Sequence, residues 1–161
     1  MRFIVNEHHQ FVVFRLDEQR YALPLSVAER IVRAAEVTPL PRAPAIVLGV
    51  IDVAGRILPV VNTRRRFLKS EREISPSDQF LIARTLRRTV ILVIDEAQGV
   101  VERLPNEIVS VASIIPGSNQ IQGVIKLDDG LVLIHDLDEF LSMDEANALN
   151  EAMKPEVALG T

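Results

Sequence analysis

The sequence predicts a mainly all-β protein of two related lobes with one C-terminal α-helix. Three observations carry this reading. The apolar residues are chiefly Val, Ile, Leu and Ala, set in short runs split by Gly, Pro and acidic turns, which favours strands. The chain also repeats itself: Gly49-Val50-Ile51 recurs as Gly123-Val124-Ile125, and the offset that carries Gly49 to Gly123 also carries Ile57, Leu58 and Val60 to Leu131, Val132 and Ile134. From Asp138 the spacing changes, and Phe140, Leu141, Met143, Ala146, Ala148, Leu149 and Met153 form the apolar side of an amphipathic helix.

The elements follow in order. Phe11–Leu16, an acidic turn at Asp17-Glu18-Gln19 and Tyr21–Leu25 read as a hairpin. Val27–Ala35 reads as a short helix running into a strand. Thr38 to Pro44 holds three prolines and must be an extended connector, because proline cannot donate to a ladder. Ile46–Val53 and Arg56–Val61 form a second hairpin around Ala54-Gly55, with Pro59 marking the second arm as an edge or a bulge. A surface loop is expected at 69–78. A second β series follows at Phe80–Thr85, Thr89–Ile94, Val100–Leu104, Ile108–Val111, Ile121–Leu127 and Leu131–His135, with Asp128-Asp129-Gly130 as the last turn. Phe11 and Phe80 open similar hairpins, and the slightly shorter offset between them carries Leu23 and Leu25 to Leu92 and Ile94. One domain with a core over about 11–149 and a frayed tail at 155–161 is expected.

Composition excludes several function classes. The chain has no Cys, so thiolate zinc sites and cysteine nucleophiles are out, and a reducing compartment fits. A net charge of -4 and 4% aromatic residues argue against nucleic-acid binding. No apolar run approaches the roughly 18 residues of a membrane span, and MRFIVNEHHQ lacks the apolar region of an export signal. A cytoplasmic location is expected, with any membrane association made through partners.

Catalytic chemistry finds no foothold. His8 and His9 are adjacent and expected at the surface. His135-Asp136 invites a metal-site reading, but no further ligands accompany it, and His135 falls on Val61 of the repeat, as a strand end. No GxGxxG, GxxxxGK or GxSxG pattern is present. No enzyme activity, cofactor or metal is expected.

Charge is more informative. Arg64, Arg65, Arg66, Lys69 and Arg72 form one basic cluster, Arg84, Arg87 and Arg88 another, and the C-terminal part is acidic. Solvated loops account for most of these residues. The sharper reading is pairing between lobes, since Arg64 falls on Asp138 and Arg65 on Glu139 in the repeat. A rigid β scaffold without chemistry usually binds proteins, by strand addition or in a groove.

The ordered set Phe11-Val-Val-Phe-Arg-Leu, Tyr21-Ala-Leu-Pro-Leu, Thr38-Pro-Leu-Pro-Arg-Ala-Pro, Gly49 to Asn62, Val93 to Val101 and Ile121 to Leu141 resembles the bacterial chemotaxis adaptor family CheW. The resemblance implies two five-stranded β-barrels packed on a shared hydrophobic core. It implies a non-enzymatic signal-transduction adaptor that couples the cytoplasmic tip of methyl-accepting chemoreceptors to the regulatory domain of a CheA-type histidine kinase, in receptor arrays at the inner membrane. Its receptor groove, carried over residue by residue, would be lined by Val27, Ala28, Ile31, Gly49, Val50 and Val53, with Glu29, Arg30, Asp52 and Ala54 beside it.

The chain departs from the family beside that groove. Asp52-Val53-Ala54-Gly55 stands where the family usually has Asn-Leu-Arg-Gly, and Arg30 stands where it has Glu, with an acid one place earlier at Glu29. An Arg30–Asp52 contact would replace the family's Glu–Arg pair. The departure implies a divergent adaptor, with pilus motility or second-messenger signalling as candidate pathways. Two other readings compete: a CheW-like module that binds the kinase or other CheW-like domains without a standard receptor contact, and a small-ligand-binding β protein. The last needs polar barrel interiors, whereas strands such as Val90–Ile94 are apolar on both faces.

Overall fold

The computed structural model describes residues 9–110 and 121–154. His8, the end of the strand expected at Ile108–Val111 and the tail expected to fray from 155 lie outside the described residues. Eleven strands are described: β1 (Gln10–Leu16), β2 (Gln19–Pro24), β3 (Ala28–Arg33), β4 (Val47–Val53), β5 (Arg56–Val61), β6 (Gln79–Arg84), β7 (Thr89–Ile94), β8 (Glu96–Glu102), β9 (Ile108–Ser110), β10 (Ile121–Leu127) and β11 (Gly130–His135). Two helices join them, α1 (Thr63–Arg66) and α2 (Met143–Ala152). Ser142 caps α2 through the Glu145 amide, and Glu145 reaches back to the Ser142 amide, a reciprocal cap.

The strands form a six-stranded sheet, β8-β1-β2-β11-β10-β9, and a five-stranded sheet, β3-β6-β7-β5-β4. This corrects the expected pair of five-stranded barrels: among the described residues the outer strands of each sheet do not pair with each other. In the five-stranded sheet the outer edge of β4 is already taken. Thr38 and Val50 exchange two backbone hydrogen bonds there, at 3.0 and 2.8 Å. The close pass of Thr38 explains the Gly at 49. A Cβ on Gly49 would sit 2.2 Å from the Thr38 carbonyl oxygen, and its φ of +153° favours glycine.

The repeat is real but interleaved. Hairpin β1–β2 recurs as β6–β7 at the offset of Phe11 to Phe80, and β4–β5 recurs as β10–β11 at the offset of Gly49 to Gly123. Each sheet takes its central hairpin from one copy and its flanking strands from the other. The parallel seams coincide: Ala22 pairs with Ile134 in one sheet, and Ile91 pairs with Val60 in the other. The bulges coincide as well, at Glu29 and Gln98, and at Leu48 and Gln122. In the central strands both faces are buried, which explains their unbroken apolar runs. Val90, Leu92 and Ile94 enter the core between the sheets, whereas Ile91 and Val93 enter the core of the five-stranded sheet. β1 does the same, with Val12 and Phe14 on one side and Phe11 and Val13 on the other.

Three expectations need correction. Pro59 lies in an interior strand, between β7 and β4, but the parallel ladder to β7 covers only Val60 and Val61, so the missing N–H falls outside it. His9 is buried, and its carbonyl accepts from Arg103 N at 2.8 Å, which ties it to the residue after β8. The loop at 69–78 is irregular as expected, yet its basic residues are not simply solvated.

Arg64 is buried and donates to both Asp17 oxygens at 2.9 and 3.0 Å, to both Asp95 oxygens at 2.9 and 3.0 Å, and to the Ser70 carbonyl at 3.1 Å. Arg72 continues the network with two 2.9 Å bonds to buried Asp78 and one to Asp95. These pairs tie the β1–β2 turn, α1 and the end of β7 together. The expected pairing of Arg64 with Asp138 does not form. Instead each grips its own copy's hairpin turn, which lies in the other sheet: Arg64 holds Asp17, and Asp138 accepts from Leu86 N at 2.8 Å. Asp17 and Leu86 are equivalent positions of the two hairpins. Position is kept in the repeat, and charge is inverted.

His135 ends β11 inside an aromatic cluster, with ring centroids 4.6 Å from Phe67 and 5.4 Å from Phe140. Neither ring nitrogen has a hydrogen-bond partner. Burial, helped by the nearby Arg66 charge, pushes its pKa down to about 3.

Two outcomes are expected. Arg64→Ala removes the buried guanidinium that Asp17 and Asp95 share, leaving Asp95 to Arg72 and Arg15, and should cost about 3 kcal/mol in urea unfolding. Arg65→Ala, at an exposed neighbour, should cost under about 0.5 kcal/mol. For His135, folded and unfolded chains are both neutral above pH 6.5. As pH falls below that, the unfolded chain takes a proton that the folded chain refuses until about pH 3. Stability therefore drops by about 1.4 kcal/mol per pH unit in this window. His135→Phe should remove that contribution, so its stability advantage over the parent should widen steadily between about pH 6 and about pH 4. A constant difference across the same urea series would refute it.

Candidate protein-binding surface

The ten residues singled out by the resemblance fall at the two outer strands of one sheet. Val27 ends a 3-10 turn over Leu25–Val27, and Ala28, Glu29, Arg30 and Ile31 open β3. Gly49, Val50, Asp52 and Val53 lie on β4, and Ala54 starts the turn to β5. Strands β6, β7 and β5 separate the two sets. Their side chains meet different surroundings. Val27 and Ala28 pack on the core between the sheets, Val53 packs on the core of the five-stranded sheet, and Gly49 is buried under Thr38. Val50 lines a separate cleft with Leu40, Ile57 and the end of α2.

One contact joins the two sets. Arg56 donates to both Glu29 oxygens at 3.0 and 3.5 Å, and to Thr89 Oγ1 at 3.1 Å. The Arg56 guanidinium holds the Glu29 carboxyl below its ordinary pKa. The bulge makes this possible. Ala28 pairs with Ala83 and Arg30 with Ile82, so Glu29 is the extra residue whose direction is re-aimed. The expected Arg30–Asp52 contact does not form. Asp52 instead accepts from Gly55 N at 2.7 Å and braces the turn, in which Ala54 has φ of +51°. An acid–Arg pair thus stands beside this surface after all, built from Glu29 and Arg56 rather than from positions 30 and 54.

Three residues of this surface escaped sequence reasoning. Leu25 and Ala97 pack partly buried on the inter-sheet core alongside Val27 and Ala28. Ala97 is the repeat counterpart of Ala28, and each pairs across a bulge with the other copy's hairpin, Ala97 with Phe14 and Ala28 with Ala83. The repeat spacing was the signal that would have found it. Arg56 carried no signal, since its partners Glu29 and Thr89 lie far away in the chain and only strand pairing brings them near. Ile31, on the same strand, and Val100, its counterpart at the same spacing, are both exposed apolar residues. The outer strands β3 and β8 therefore present matching apolar positions, one in each sheet.

Among the described residues no cluster of three or more His, Asp or Glu is placed to hold a metal ion. No described helix is long and apolar enough to cross a membrane.

The CheW-like domain profile matches residues 10–145. Similar proteins include the chemotaxis protein CheW of Treponema pallidum, 26% identical over 150 residues and covering 89% of this chain and 88% of that one. Protein FrzA of Myxococcus xanthus is 32% identical over 107 residues, covering 66% and 63%. Among solved structures, the scaffolding protein TtCheW of Thermoanaerobacter tengcongensis superposes with a TM-score of 0.77 at 25% identity, covering 85% of this chain and 94% of that one. The interleaved two-sheet fold and a family match over nearly the whole chain lead to one conclusion: the chain belongs to the CheW-like domain family.

Proposed function

We propose that this chain is a non-enzymatic chemosensory adaptor that couples chemoreceptors to a CheA-type histidine kinase in the cytoplasm. The observation that carries the reading is the apolar seam: Leu25, Val27, Ala28 and Ala97 sit partly buried on the inter-sheet core, with exposed Ile31 beside them. Such a surface suits the apolar stripe of a helical hairpin, as in helix-in-groove recognition. The receptor tip docks there, and the Glu29–Arg56 pair at its margin selects partners by charge.

An adaptor needs a second face. Ile57 and its repeat counterpart Leu131 are both about half exposed, at 53% and 52%, in equivalent strands of the two sheets. These positions are offered to the kinase's regulatory domain. The runner-up reading, a module that binds the kinase or other CheW-like domains without a receptor contact, uses this second face alone.

Paired variants separate the faces. Ile31→Asp should weaken binding to a chemoreceptor tip about tenfold and leave kinase-domain binding within about twofold. Ile57→Asp should do the reverse. Both side chains are substantially exposed, so thermal melts should stay near the parent's. Binding of the kinase domain together with no binding of the receptor tip by the parent would favour the runner-up. Exchanging the charges of Glu29 and Arg56 should restore part of the receptor affinity that either reversal alone loses, as read by titration of all four proteins. Strict additivity would remove the pair from the binding surface.

A further inference from the structure

Away from the seam, a cleft of about 840 Å³ opens between the β6–β7 loop, the chain just after α1, and α2. Its walls include Leu68, Leu86 and Met143, exposed at 92%, 91% and 60%, the three most exposed large apolar side chains among the described residues. One exposed Leu needs no explanation; three on one cleft form a patch.

Arginines line the same walls. Arg66 is paired with Glu145, but its Nε is buried without an acceptor. Arg88 donates to the neutral amide oxygen of Asn150 at 2.6 Å, and Arg87 to the Met143 thioether at 3.1 Å. Neither guanidinium meets a carboxylate among the described residues. Burial lowers the Arg88 pKa, the mark of a cation partly stripped of water without a counter-ion. The repeat shows that the fold does not require this. At the equivalent place on the other copy, Arg64 is closed in by the chain's own Asp17 and Asp95.

The chemistry of the walls narrows the occupant. β6 and β7 are interior strands, so the cleft has no free sheet edge for an added strand. Leu68, Leu86 and Met143 offer apolar contact that a polyphosphate chain cannot use, and Asp138, which also lines the cleft, is already engaged by Leu86 N at 2.8 Å. We propose that this cleft docks an acidic amphipathic helix of a partner protein, with its apolar side chains on Leu68, Leu86 and Met143 and its carboxylates on Arg87 and Arg88. This site is separate from the seam and does not depend on the receptor reading.

The test is fluorescence anisotropy on the full chain at about 50 mM salt, where charge contacts are weakly screened. The probes are a labelled helical peptide of about 15 residues with Leu at i, i+4 and i+7 and Glu on its flanks, a twin with every Glu replaced by Lys, and a twin with every Leu replaced by Ser. The acidic peptide should bind at least about tenfold tighter than either twin. The double variant Arg87→Glu/Arg88→Glu should reverse the preference toward the Lys twin. Leu86→Ser, at a position too exposed to unfold the protein, should weaken the acidic peptide about tenfold, whereas Ile31→Asp should not. Equal binding of the acidic and Lys peptides, undiminished binding of the Ser twin, or indifference to the double variant would overturn the proposal. So would self-association of the parent that Leu86→Ser abolishes, because the occupant would then be a second copy.

Discussion

The two parallel seams, β2 against β11 and β7 against β5, are the constraint on which the rest of this structure depends. Parallel neighbours cannot be joined by a tight turn. Each seam therefore brings together segments far apart in the chain, and each joins one repeat copy to the other. Neither copy can complete a sheet alone. The core between the sheets draws on both, with Phe14 and Leu23 from the first hairpin and Leu81 and Leu92 from the second. Folding of the two sheets is thereby coupled, and the apolar seam at β3 and β8 exists only once both have formed.

Within each copy a polar link ties the two sheets together. Arg64 follows β5 and reaches the β1–β2 turn, while Asp138 follows β11 and reaches the β6–β7 turn. The two links are geometrically equivalent and chemically opposite. A buried arginine that satisfies two carboxylates ties several segments at once, and removing it leaves buried charge. Asp138 caps one exposed amide and holds less. This difference explains why one end of the molecule is closed by its own charges while the other keeps an open cleft lined by Arg87 and Arg88.

Much of this was legible in the sequence. The β class, the hairpin at Ala54-Gly55, the repeat that carries Gly49 to Gly123 and a C-terminal helix follow from spacing and turn chemistry, although the helix expected from Asp138 starts only at Met143, after a 3-10 turn over Leu137–Glu139. What escaped was whatever depends on which strands meet. The same two offsets fit two separate lobes as well as two interleaved ones, because pairing partners leave no mark on local pattern. Adjacency to His8 predicts an exposed His9 and says nothing about the chain after β8, whose Arg103 N donates to the His9 carbonyl. The Arg30–Asp52 contact fails because β6, β7 and β5 lie between the strands that carry the two residues and Asp52 is held by Gly55 N, while a bulge at Glu29, which alternation counted along β3 cannot see, hands the acid–Arg contact to Glu29.

The bulge is common to both copies, and the residue that occupies it sets the asymmetry of the proposed binding face. The seam is matched in residue type, with Ala28 and Ile31 of β3 answered by Ala97 and Val100 of β8. It is not matched in charge. Glu29 is answered by Gln98, and Arg56 by Gly130, so the pair on one side has no counterpart at the same positions. Thr89, which Arg56 also reaches, is answered by Arg20, and that arginine is turned to Asp129 in the β10–β11 turn. A two-fold symmetric surface would accept a helical hairpin in either of two orientations with equal energy. Here one orientation sets partner charges against the Glu29 carboxylate, and the other sets them against the uncharged Gln98 amide. The energy of an exposed pair is small, but orientation needs only a difference, and a like charge placed against the wrong side counts against that mode. The apolar seam supplies contact area, and the displaced acid–Arg pair breaks its symmetry.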